Sequence, residues 1–500
     1  MYTLQDFFTA AGLINPVPFA QFITMEKAPW ASQVRNLNRL LTNERWGLYG
    51  QPATGKTMAA QAAALYWISE GNKVVCVLPP TLRYQFKEEF FSTFKGADRY
   101  VKFHIFEEGP AARRELKKQW SEFRQWPEII AMSYQLFAVE YQDLIKAGYC
   151  VLICDEAQAL KDSSSKIFSQ VEEFINQPGG AAFIPMTGTP IHNEIIDAYA
   201  LTKLTNPDAY GSQKHFDNLH SVYKKIHLKT PKKTKSGKRL SSFKVRATYV
   251  RHDLLRENMY RFASRDLKKD VLEIKDPSII EMPVRLEKEH LDLYKKLVRE
   301  RILVKGKELI IAANAQALRQ KALQMVTCPE LFVEEATFKN NVVEAVREII
   351  NGMDIKKDKV VVFANYQDSV RTLEKYFKEY NPALMYGDSN SEKNRQKFLN
   401  DDTCRLLIAH PKSAGYGLNL QHICHTIIFA EPTGVPGDFQ QCMDRVLRYG
   451  QKNLVNVYIV KALGTIAPKA TVEMLRKEGQ ARLVNQDWHS FADEFIPAAA

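Results

Sequence analysis

The stretch Gly50–Thr57 constrains this chain more than any other feature, and it reads G-Q-P-A-T-G-K-T. It fits the pattern G-x-x-x-x-G-K-[ST], with an apolar run before it at 46–49 and a helical pattern after it at 57–70. Gly50 and Gly55 let the backbone curl so that its N–H groups face phosphate oxygens, and the helix N-terminus adds positive potential. Lys56 is expected to reach the β- and γ-phosphates, and Thr57 to offer its hydroxyl to Mg²⁺.

A second motif, YCVLICDEAQ at 149–158, ends an apolar strand pattern with two adjacent carboxylates. Asp155 is predicted to hold Mg²⁺ directly or through water, and Glu156 to orient and deprotonate an attacking water. The alternative is an acidic strand-to-helix turn with no catalytic role. The phosphate-binding pattern upstream favours hydrolysis.

Two regions alternate short apolar runs with helical patterns. The predicted strands are 46–49, 73–79, 129–133, 149–154 and 182–187 in the first region, and 359–364, 383–387, 404–409, 425–430 and 455–460 in the second. The helices between them include 57–70 and 84–95, then 367–380, 391–400 and 438–449. This alternation predicts two α/β lobes with parallel sheets. Such sheets place ligands beyond the carboxyl ends of their strands.

The middle of the chain differs in composition, because it is charged and its pattern is helical. From Lys224 to Arg246 there are ten Lys or Arg residues and no acidic residue. The segment TPKKTKSGKRLSS within it is rich in Pro, Gly, Ser and Lys and is predicted to be a mobile loop. We interpret the run as a phosphate-contacting arm that includes Lys232, Lys233 and Lys235, with a solvated loop as the alternative.

The predicted organisation has six parts. They are an N-terminal segment (1–28), a nucleotide-binding lobe (29–204), a helical basic insertion (205–275), a helical connector (276–340), a second lobe (341–466) and a C-terminal tail (467–500).

Composition narrows the function classes further. The 500 residues carry 69 Lys and Arg against 57 Asp and Glu, a net charge of +12, which favours a polyanionic partner. The longest apolar runs are too short to span a bilayer, so we expect no membrane-spanning segment. The N-terminus does not resemble a signal peptide, and seven Cys without a C-x-x-C pattern favour a reducing interior.

Further motifs carry a family resemblance over roughly residues 30–465. In chain order they are PWASQVRNLNRL with Gln33, VVCVLPPTLRYQF (74–86), IIAMSYQLF (129–137), DEAQ (155–158), MTGTPIHN (186–193), RFASRDLKKDVL (261–272), VVVFANYQDSVRTLEKYF (360–377), SAGYGLNLQHICHTIIF (413–429) and QQCMDRVLRYGQKNLVNVYIVKALGTI (440–466). The sequence resembles the superfamily 2 helicase-like ATPases, and within them the Swi/Snf-type DNA translocases. It departs from their pattern at Ser264, where the family has an Arg before Arg265, and at EPTGVPGDF (431–439), which lacks the usual Trp-Asn-Pro.

The resemblance implies an α/β fold of two tandem RecA-like lobes with parallel sheets and a helical basic insertion. It implies that ATP and Mg²⁺ are bound by Gln33, Gly50, Gly55, Lys56, Thr57, Asp155 and Gln441. Coupling between the ATP site and nucleic acid is implied for Gln158, Thr187, Thr189 and Arg265. Nucleic-acid contacts are implied for Pro79, Thr81, Ser133, Tyr134, Ser413, Gly415 and Asn419.

Arg445 and Arg448 are three residues apart on the predicted helix 438–449, so we expect them on one face of it. The resemblance implies that they are arginine fingers, which stabilise charge on the γ-phosphate with Glu156 as base and Lys56 as phosphate ligand. A solvated basic helix face is the alternative.

The sequence therefore predicts an ATP hydrolase that moves on DNA without sequence specificity, and duplex DNA is the form we expect. We expect a monomer of a minimal viral or bacterial form, cytoplasmic and associated with DNA. Two other functions stay open. One is an unwinding helicase directed to RNA or single strands, and the other is a non-catalytic nucleic-acid-binding scaffold.

Overall fold

The computed structural model describes residues 2–485, apart from 16, 107–108, 123–126, 181, 234–238, 272–273, 306–307, 335–336, 355–357, 388–390 and 415–417. The chain forms two compact units. The first comprises Met1–Val271 together with Gly479–Ala500, and the second comprises Leu272–Glu478.

The first unit is built on a seven-stranded parallel sheet. Its strands and those of two smaller sheets are β1 (Tyr2–Thr3), β2 (Thr24–Met25), β3 (Gly47–Leu48), β4 (Lys73–Val77), β5 (Phe103–Ile105), β6 (Ile129–Met132), β7 (Tyr149–Asp155), β8 (Ala182–Met186), β9 (Ser221–Lys233), β10 (Arg239–Tyr249) and β11 (Ala263–Ser264). The main sheet has the order β11-β3-β8-β7-β4-β6-β5, and β1 pairs with β2 and β9 with β10.

Helices connect these strands and cover the sheet. They are α1 (Leu4–Ala10), α2 (Ala31–Thr42), α3 (Lys56–Ser69), α4 (Arg83–Thr93), α5 (Pro110–Glu122), α6 (Tyr134–Lys146), α7 (Lys166–Ile175), α8 (Ala198–Thr205), α9 (Gln213–His220), α10 (His252–Tyr260) and α11 (Lys268–Val271). The sheet is buried on both faces, since alternate residues of β4 enter different apolar clusters: Val75 and Val77 one, Val74 and Cys76 the other. This explains why its strands are continuous Val- and Ile-rich runs.

The second unit repeats this plan with six parallel strands in the order β12-β19-β18-β15-β17-β16. Its strands are β12 (Ser278–Arg285), β13 (Ile302–Lys305), β14 (Glu308–Ile311), β15 (Lys359–Phe363), β16 (Ala383–Met385), β17 (Leu406–Ala409), β18 (Cys424–Phe429) and β19 (Asn456–Leu463). Its helices are α12 (Lys288–Glu300), α13 (Ala315–Thr327), α14 (Asn341–Asn351), α15 (Gln367–Tyr376), α16 (Ser391–Asn400), α17 (Pro411–Ala414), α18 (Pro436–Met443) and α19 (Ala467–Asn485), the last of which ends in the first unit.

The predicted fold class is confirmed: two α/β lobes with parallel sheets follow one another in the chain. The basic insertion is only partly helical, however. Of the stretch 230–242, predicted to be a mobile loop, residues 230–233 belong to β9 and 239–242 to β10, which pair antiparallel, and 234–238 lie outside the described residues. Val, Ile, Phe and Tyr recur along both strands, and the Ser-Gly pair at 236–237 lies between them.

The N-terminal segment belongs to the first unit. Leu4, Phe7 and Phe8 of α1 are fully buried in one of its apolar clusters, together with Leu37 of α2 and Ala63 of α3. Among the described helices none is both long and apolar enough to cross a membrane.

A buried carboxylate lies after β18 in the second unit. Glu431 accepts hydrogen bonds from the backbone N–H of Asn365 at 2.6 Å and from the hydroxyl of Ser369 at 2.5 Å. Burial is the main cause that raises the pKa of Glu431 to about 7, and these hydrogen bonds act against the shift. The folded chain therefore retains a proton that the unfolded chain releases near pH 4.5.

This retained proton predicts a pH-dependent stability. Between pH 4.5 and 7 the folded state binds the extra proton, so the free energy of unfolding falls as pH rises, by up to about 3 kcal/mol. Glu431→Gln should flatten this dependence, whereas Asp402→Asn, at an exposed carboxylate of the same unit, should keep it. Denaturant unfolding at pH 5 and pH 8 measures both. If the free energy of unfolding changed equally between pH 5 and pH 8 in wild type and Glu431→Gln, Glu431 would not be the group that retains the proton.

Candidate nucleotide-binding site

The phosphate loop joins β3 to α3, as the sequence predicts. Gly55 has φ of +83°, and a Cβ there would lie 2.3 Å from Nε2 of Gln33, so only glycine fits. The ammonium group of Lys56 donates to the carbonyls of Gly50 at 2.6 Å and Gln51 at 2.9 Å. The lysine thus lies over the loop whose backbone it is expected to complement.

Gln33 contacts the phosphate loop directly. It is buried in the first turn of α2, where its Oε1 accepts the backbone N–H of Trp30 at 2.7 Å. Its Nε2 donates to the carbonyl of Gly55 at 3.5 Å. The structure therefore brings Gln33, one of the residues predicted to bind ATP, next to the loop predicted to hold phosphates.

Asp155 is the last residue of β7 and Glu156 follows it, and β7 lies two strands away from β3 in the sheet. Burial first, and then the negative charge of Glu156, raise the pKa of Asp155 to about 7, while Lys56 acts in the opposite direction. The backbone N–H of Glu156 donates to Asp155 at 3.0 Å, and the hydroxyl of Tyr134 donates to the Asp155 carbonyl at 2.8 Å. Asp155 is therefore a half-buried acid within the electrostatic reach of Lys56, where a cation would stabilise its charged form.

Three of the predicted coupling residues form a hydrogen-bonded relay that starts at Glu156. The amide of Gln158 donates to Glu156 at 2.7 Å, and its Oε1 accepts the hydroxyl of Thr187 at 2.6 Å. The Thr187 hydroxyl in turn accepts the N–H of Thr189 at 3.0 Å. Glu156 itself has φ of +51°, an unusual backbone conformation for a residue other than glycine. The acid predicted to be catalytic is thus held by the motif that follows β8.

Arg265, the fourth predicted coupling residue, connects two loops. Its guanidinium donates to the carbonyl of Tyr49, before the phosphate loop, and to that of Gly188 at 3.1 Å, between Thr187 and Thr189. Ser264, where the family usually has an Arg, accepts the indole N–H of Trp46 at 2.8 Å. Arg265 therefore contacts both predicted loops without a second arginine.

The sequence analysis missed Asp266, which fixes the phosphate loop to α2. Its carboxylate, 3% exposed, accepts from Arg35 at 2.5 Å and from Asn36 at 2.7 Å, both on α2. Its carbonyl accepts the N–H of Gln51 at 2.8 Å. An acidic residue within the basic stretch RDLKKD was the available signal, since a buried acid needs a partner.

The residues predicted to contact nucleic acid in the first unit differ in exposure. Thr81 is exposed after β4, and Pro79 beside it is buried. Ser133 is also buried and caps α6 by accepting the N–H of Leu136 at 3.2 Å, and Tyr134 is buried against Asp155. The side chains of Ser133 and Tyr134 thus support the strand end, and their contact with nucleic acid stays a prediction.

The predicted basic arm has a different form from the one expected. Lys232 lies opposite Leu240, and Lys233 opposite Arg239, in the paired strands β9 and β10. Lys235 lies outside the described residues.

In the second unit the predicted helix 438–449 is shorter than expected. The helix α18 ends at Met443, so Arg445 and Arg448 lie in turns, and the argument that they share a helix face was wrong. The physical reason is tertiary, because the carbonyl of Arg445 accepts the N–H of Leu420 at 3.0 Å. Arg445 is buried, and Arg448 is held by the carbonyl of Asp444 at 2.8 Å and by the side chain of Asn419.

The remaining predicted residues of this unit are Gln441, Ser413, Asn419 and Gly415, and they differ in burial and contacts. Gln441 is buried in α18, and Ser413 is half-buried in the short helix α17. Asn419 is exposed and contacts Arg448, which joins two of the motifs. Gly415 lies outside the described residues.

Two parallel-sheet lobes in one chain, with this phosphate loop in the first, are the architecture of a helicase-like ATPase. The model of the SNF2-related domain matches residues 47–336, and that of the helicase conserved C-terminal domain matches 341–450. The chain belongs to the SNF2-related family.

Curated relatives agree with this assignment. The chain is 25% identical over 510 residues to the TATA-binding protein-associated factor MOT1 of Saccharomyces cerevisiae, with 88% of this chain and 26% of MOT1 covered. It is 24% identical over 487 residues to the DNA repair and recombination protein RAD54B of Gallus gallus, with 85% and 50% covered. The chain thus spans between about a quarter and a half of these relatives' length.

A solved structure is also similar. The Sulfolobus solfataricus SWI2/SNF2 ATPase core in complex with dsDNA is 20% identical, with a TM-score of 0.40 over 92% of this chain and 97% of that one.

The Asp266 contacts predict a selective effect on nucleotide binding. Asp266→Asn removes the charge that holds Arg35, so α2 and Gln33 lose their fixed position beside the phosphate loop. We expect KM for ATP to rise about tenfold and the preference for ATP over GTP to narrow, since a charged hydrogen bond contributes about 1.5–3 kcal/mol. Steady-state ATPase kinetics with both nucleotides measure this.

Two variants make this experiment decisive. Arg35→Gln should reproduce the effect, and the double variant should add little to it, because both changes break one interaction. Asp270→Asn, at an exposed acid four residues further on, is the matched control. A lower melting temperature with unchanged KM and unchanged ATP preference would reduce Asp266 to a purely structural residue.

Proposed function

We propose that this chain is a motor that hydrolyses Mg²⁺-ATP and uses the energy to move along duplex DNA without sequence specificity. The observation that carries the proposal is the relay from Glu156 through Gln158 to Thr187 and Thr189. It connects the acid suited to activate water with a loop that follows the neighbouring strand β8. Three consecutive hydrogen bonds thus connect the acid proposed to activate water with the segment proposed to contact DNA.

The nucleotide would be held by the phosphate loop. Backbone N–H groups at the start of α3 face its phosphates, and Lys56 exchanges its carbonyl partners for phosphate oxygens. Gln33, beside Gly55, is positioned to contact the base.

A Mg²⁺ ion fits Thr57 and Asp155, because they offer the hydroxyl and carboxylate oxygens that this ion prefers. Asp155 also gains from a cation, since burial raises its pKa. Among the described residues no group of three or more His, Cys, Asp or Glu is arranged to hold a metal. We propose that the ion arrives with the phosphates, whose charge it neutralises.

Glu156 would accept a proton from the attacking water. Its carboxylate is oriented by the amide of Gln158, so the acid does not have to find its position at each turnover. Arg445 and Arg448, with Gln441, are the proposed residues that stabilise the developing charge on the γ-phosphate.

The DNA part of the proposal rests on the family and on free hydrogen-bonding capacity in the relay. One relative is described as a DNA repair and recombination protein. The hydroxyl oxygen of Thr189 is buried at the end of the relay and has no hydrogen-bond partner among the described residues. Thr81, Ser413 and Asn419 are the other proposed contacts, all suited to phosphates rather than to bases. We propose that the motor acts as a monomer.

The proposal is tested by steady-state ATPase rates without nucleic acid and with duplex DNA, single-stranded DNA or RNA. We expect duplex DNA to stimulate most, and Glu156→Gln to lower the stimulated rate by about 100-fold or more, as loss of a general base does. Stimulation by single strands or RNA alone would instead support an unwinding helicase. If no nucleic acid raised the ATPase rate and Glu156→Gln did not lower it, the result would support a non-catalytic scaffold.

A second prediction concerns the relay. Thr187→Val removes the hydroxyl that connects Gln158 to Thr189, so we expect DNA stimulation to fall about tenfold while KM for ATP stays within about twofold. Thr202→Val is the matched control, because its buried hydroxyl has no partner among the described residues. Equal loss of stimulation in both variants, or loss in neither, would exclude the relay as the coupling path.

A further inference from the structure

Strands β9 and β10 form a feature that the motor chemistry does not use, and we call their residues, 221–233 and 239–249, the basic ribbon. Its two strands pair with each other and with no other described strand. At about 3.4 Å per residue, the twelve steps from Ser221 to Lys233 span about 40 Å. An isolated two-stranded hairpin is only marginally stable in water, so contacts with the rest of the first unit must stabilise the ribbon.

The anchor is a network of charged and phenolic groups at the root. Arg246 bonds to Asp217 and to Glu194, both at 3.1 Å. The hydroxyl of Tyr223 donates to Asp217 at 2.7 Å, and that of Tyr249 donates to Glu194 at 3.0 Å. The positive charge of Arg246 is therefore already neutralised, and the root is fixed to the first unit.

The anchor also joins the ribbon to the segment after β8 that contains Thr187 and Thr189. Glu194 follows Thr189 by five residues, in the segment that leaves β8. Arg246 thus attaches the ribbon to the same segment that carries Thr187 and Thr189.

Beyond the root, positive charges face each other without compensation. Lys225 lies directly opposite Lys244. The sequence 221–249 contains no Asp or Glu, and in the described part of the chain neither Lys225 nor Lys244 forms an ion pair. Like charges directly opposite each other destabilise a strand pair, so a ribbon built this way is costly unless an anion bridges them.

The register places these charges on one face. Tyr223 with Arg246, Lys225 with Lys244, and His227 with Ser242 form one series of opposite pairs. The other series contains Ile226 with Phe243 and Lys224 with Val245. Because side chains alternate across a strand, the first series forms a polar, basic face and the second a mainly apolar one.

We propose that the basic ribbon is a second phosphate-binding surface for duplex DNA, separate from the motif loops, with Lys225 and Lys244 as its central contacts. This inference rests on the proposed function for its choice of polyanion. A two-stranded ribbon fits the major groove, and about 40 Å is slightly more than one turn of the double helix. Contacts to phosphates alone make the surface independent of base sequence.

The test is equilibrium binding of a fluorescent 30-base-pair duplex to the full chain without nucleotide, over a series of salt concentrations. Lys225→Gln/Lys244→Gln should weaken binding about tenfold at 0.1 M salt, and should lower the slope of log K against log salt by about 2. Two unrelated duplex sequences should lose affinity equally. Lys295→Gln/Lys296→Gln, at two exposed lysines of α12, is the control with the same charge change.

A stability measurement separates binding from folding. Because the substitution removes a repulsive pair, the free Lys225→Gln/Lys244→Gln variant should melt at the wild-type temperature or above it. A lower melting temperature with an unchanged salt slope would overturn the proposal and make the pair structural.

The remaining outcomes separate this inference from the motor. An affinity and salt slope within error of the control variant would overturn the ribbon as a DNA contact, even if duplex DNA stimulates the ATPase. Loss of affinity for single-stranded DNA but not for duplex would also overturn it. Selective loss of duplex affinity in a chain whose ATPase ignores DNA would support the ribbon and refute the motor.

Discussion

The phosphate loop depends on a strand pairing between residues more than 200 positions apart. Strand β3 has only two residues, and it lies between β8 and the equally short β11. The N–H groups of Gly47, Tyr49 and Gln51 donate to carbonyls of Phe262, Ser264 and Asp266. The loop therefore has its shape only once the segment 262–266 has returned to pair beside β3. Such long-range closure costs chain entropy, which the buried sheet and the Asp266 contacts offset.

Much of this architecture was predictable because its signals are local. Buried parallel strands are continuous runs of Val and Ile, and the phosphate loop needs glycine where Gln33 approaches Gly55. Strand β11 was not predictable, because two residues show no periodicity. Asp266 was missed for a similar reason, since its partners Arg35 and Asn36 are distant in sequence and only the fold brings them together.

Two predictions failed where composition or spacing was used without tertiary contacts. The segment TPKKTKSGKRLSS has a loop composition, but its ends, 230–233 and 239–242, lie in the paired strands β9 and β10, because the residues before and after the segment favour strands. The pattern around Arg445 and Arg448 has helical spacing. The helix nevertheless ends at Met443, because the Arg445 carbonyl bonds to Leu420 and not to the next turn.

The segment from Thr187 to Glu194 is where these features meet within the first unit. Thr187 contacts Gln158 and through it Glu156, and the carbonyl of Gly188 contacts Arg265. Glu194, at the end of the segment, holds the root of the basic ribbon through Arg246. A segment fixed from three sides cannot shift at one contact without altering the others. If Glu156 activates water and the ribbon binds DNA, as we propose, this segment of eight residues is the path by which hydrolysis would be coupled to a contact with phosphates inside the first unit.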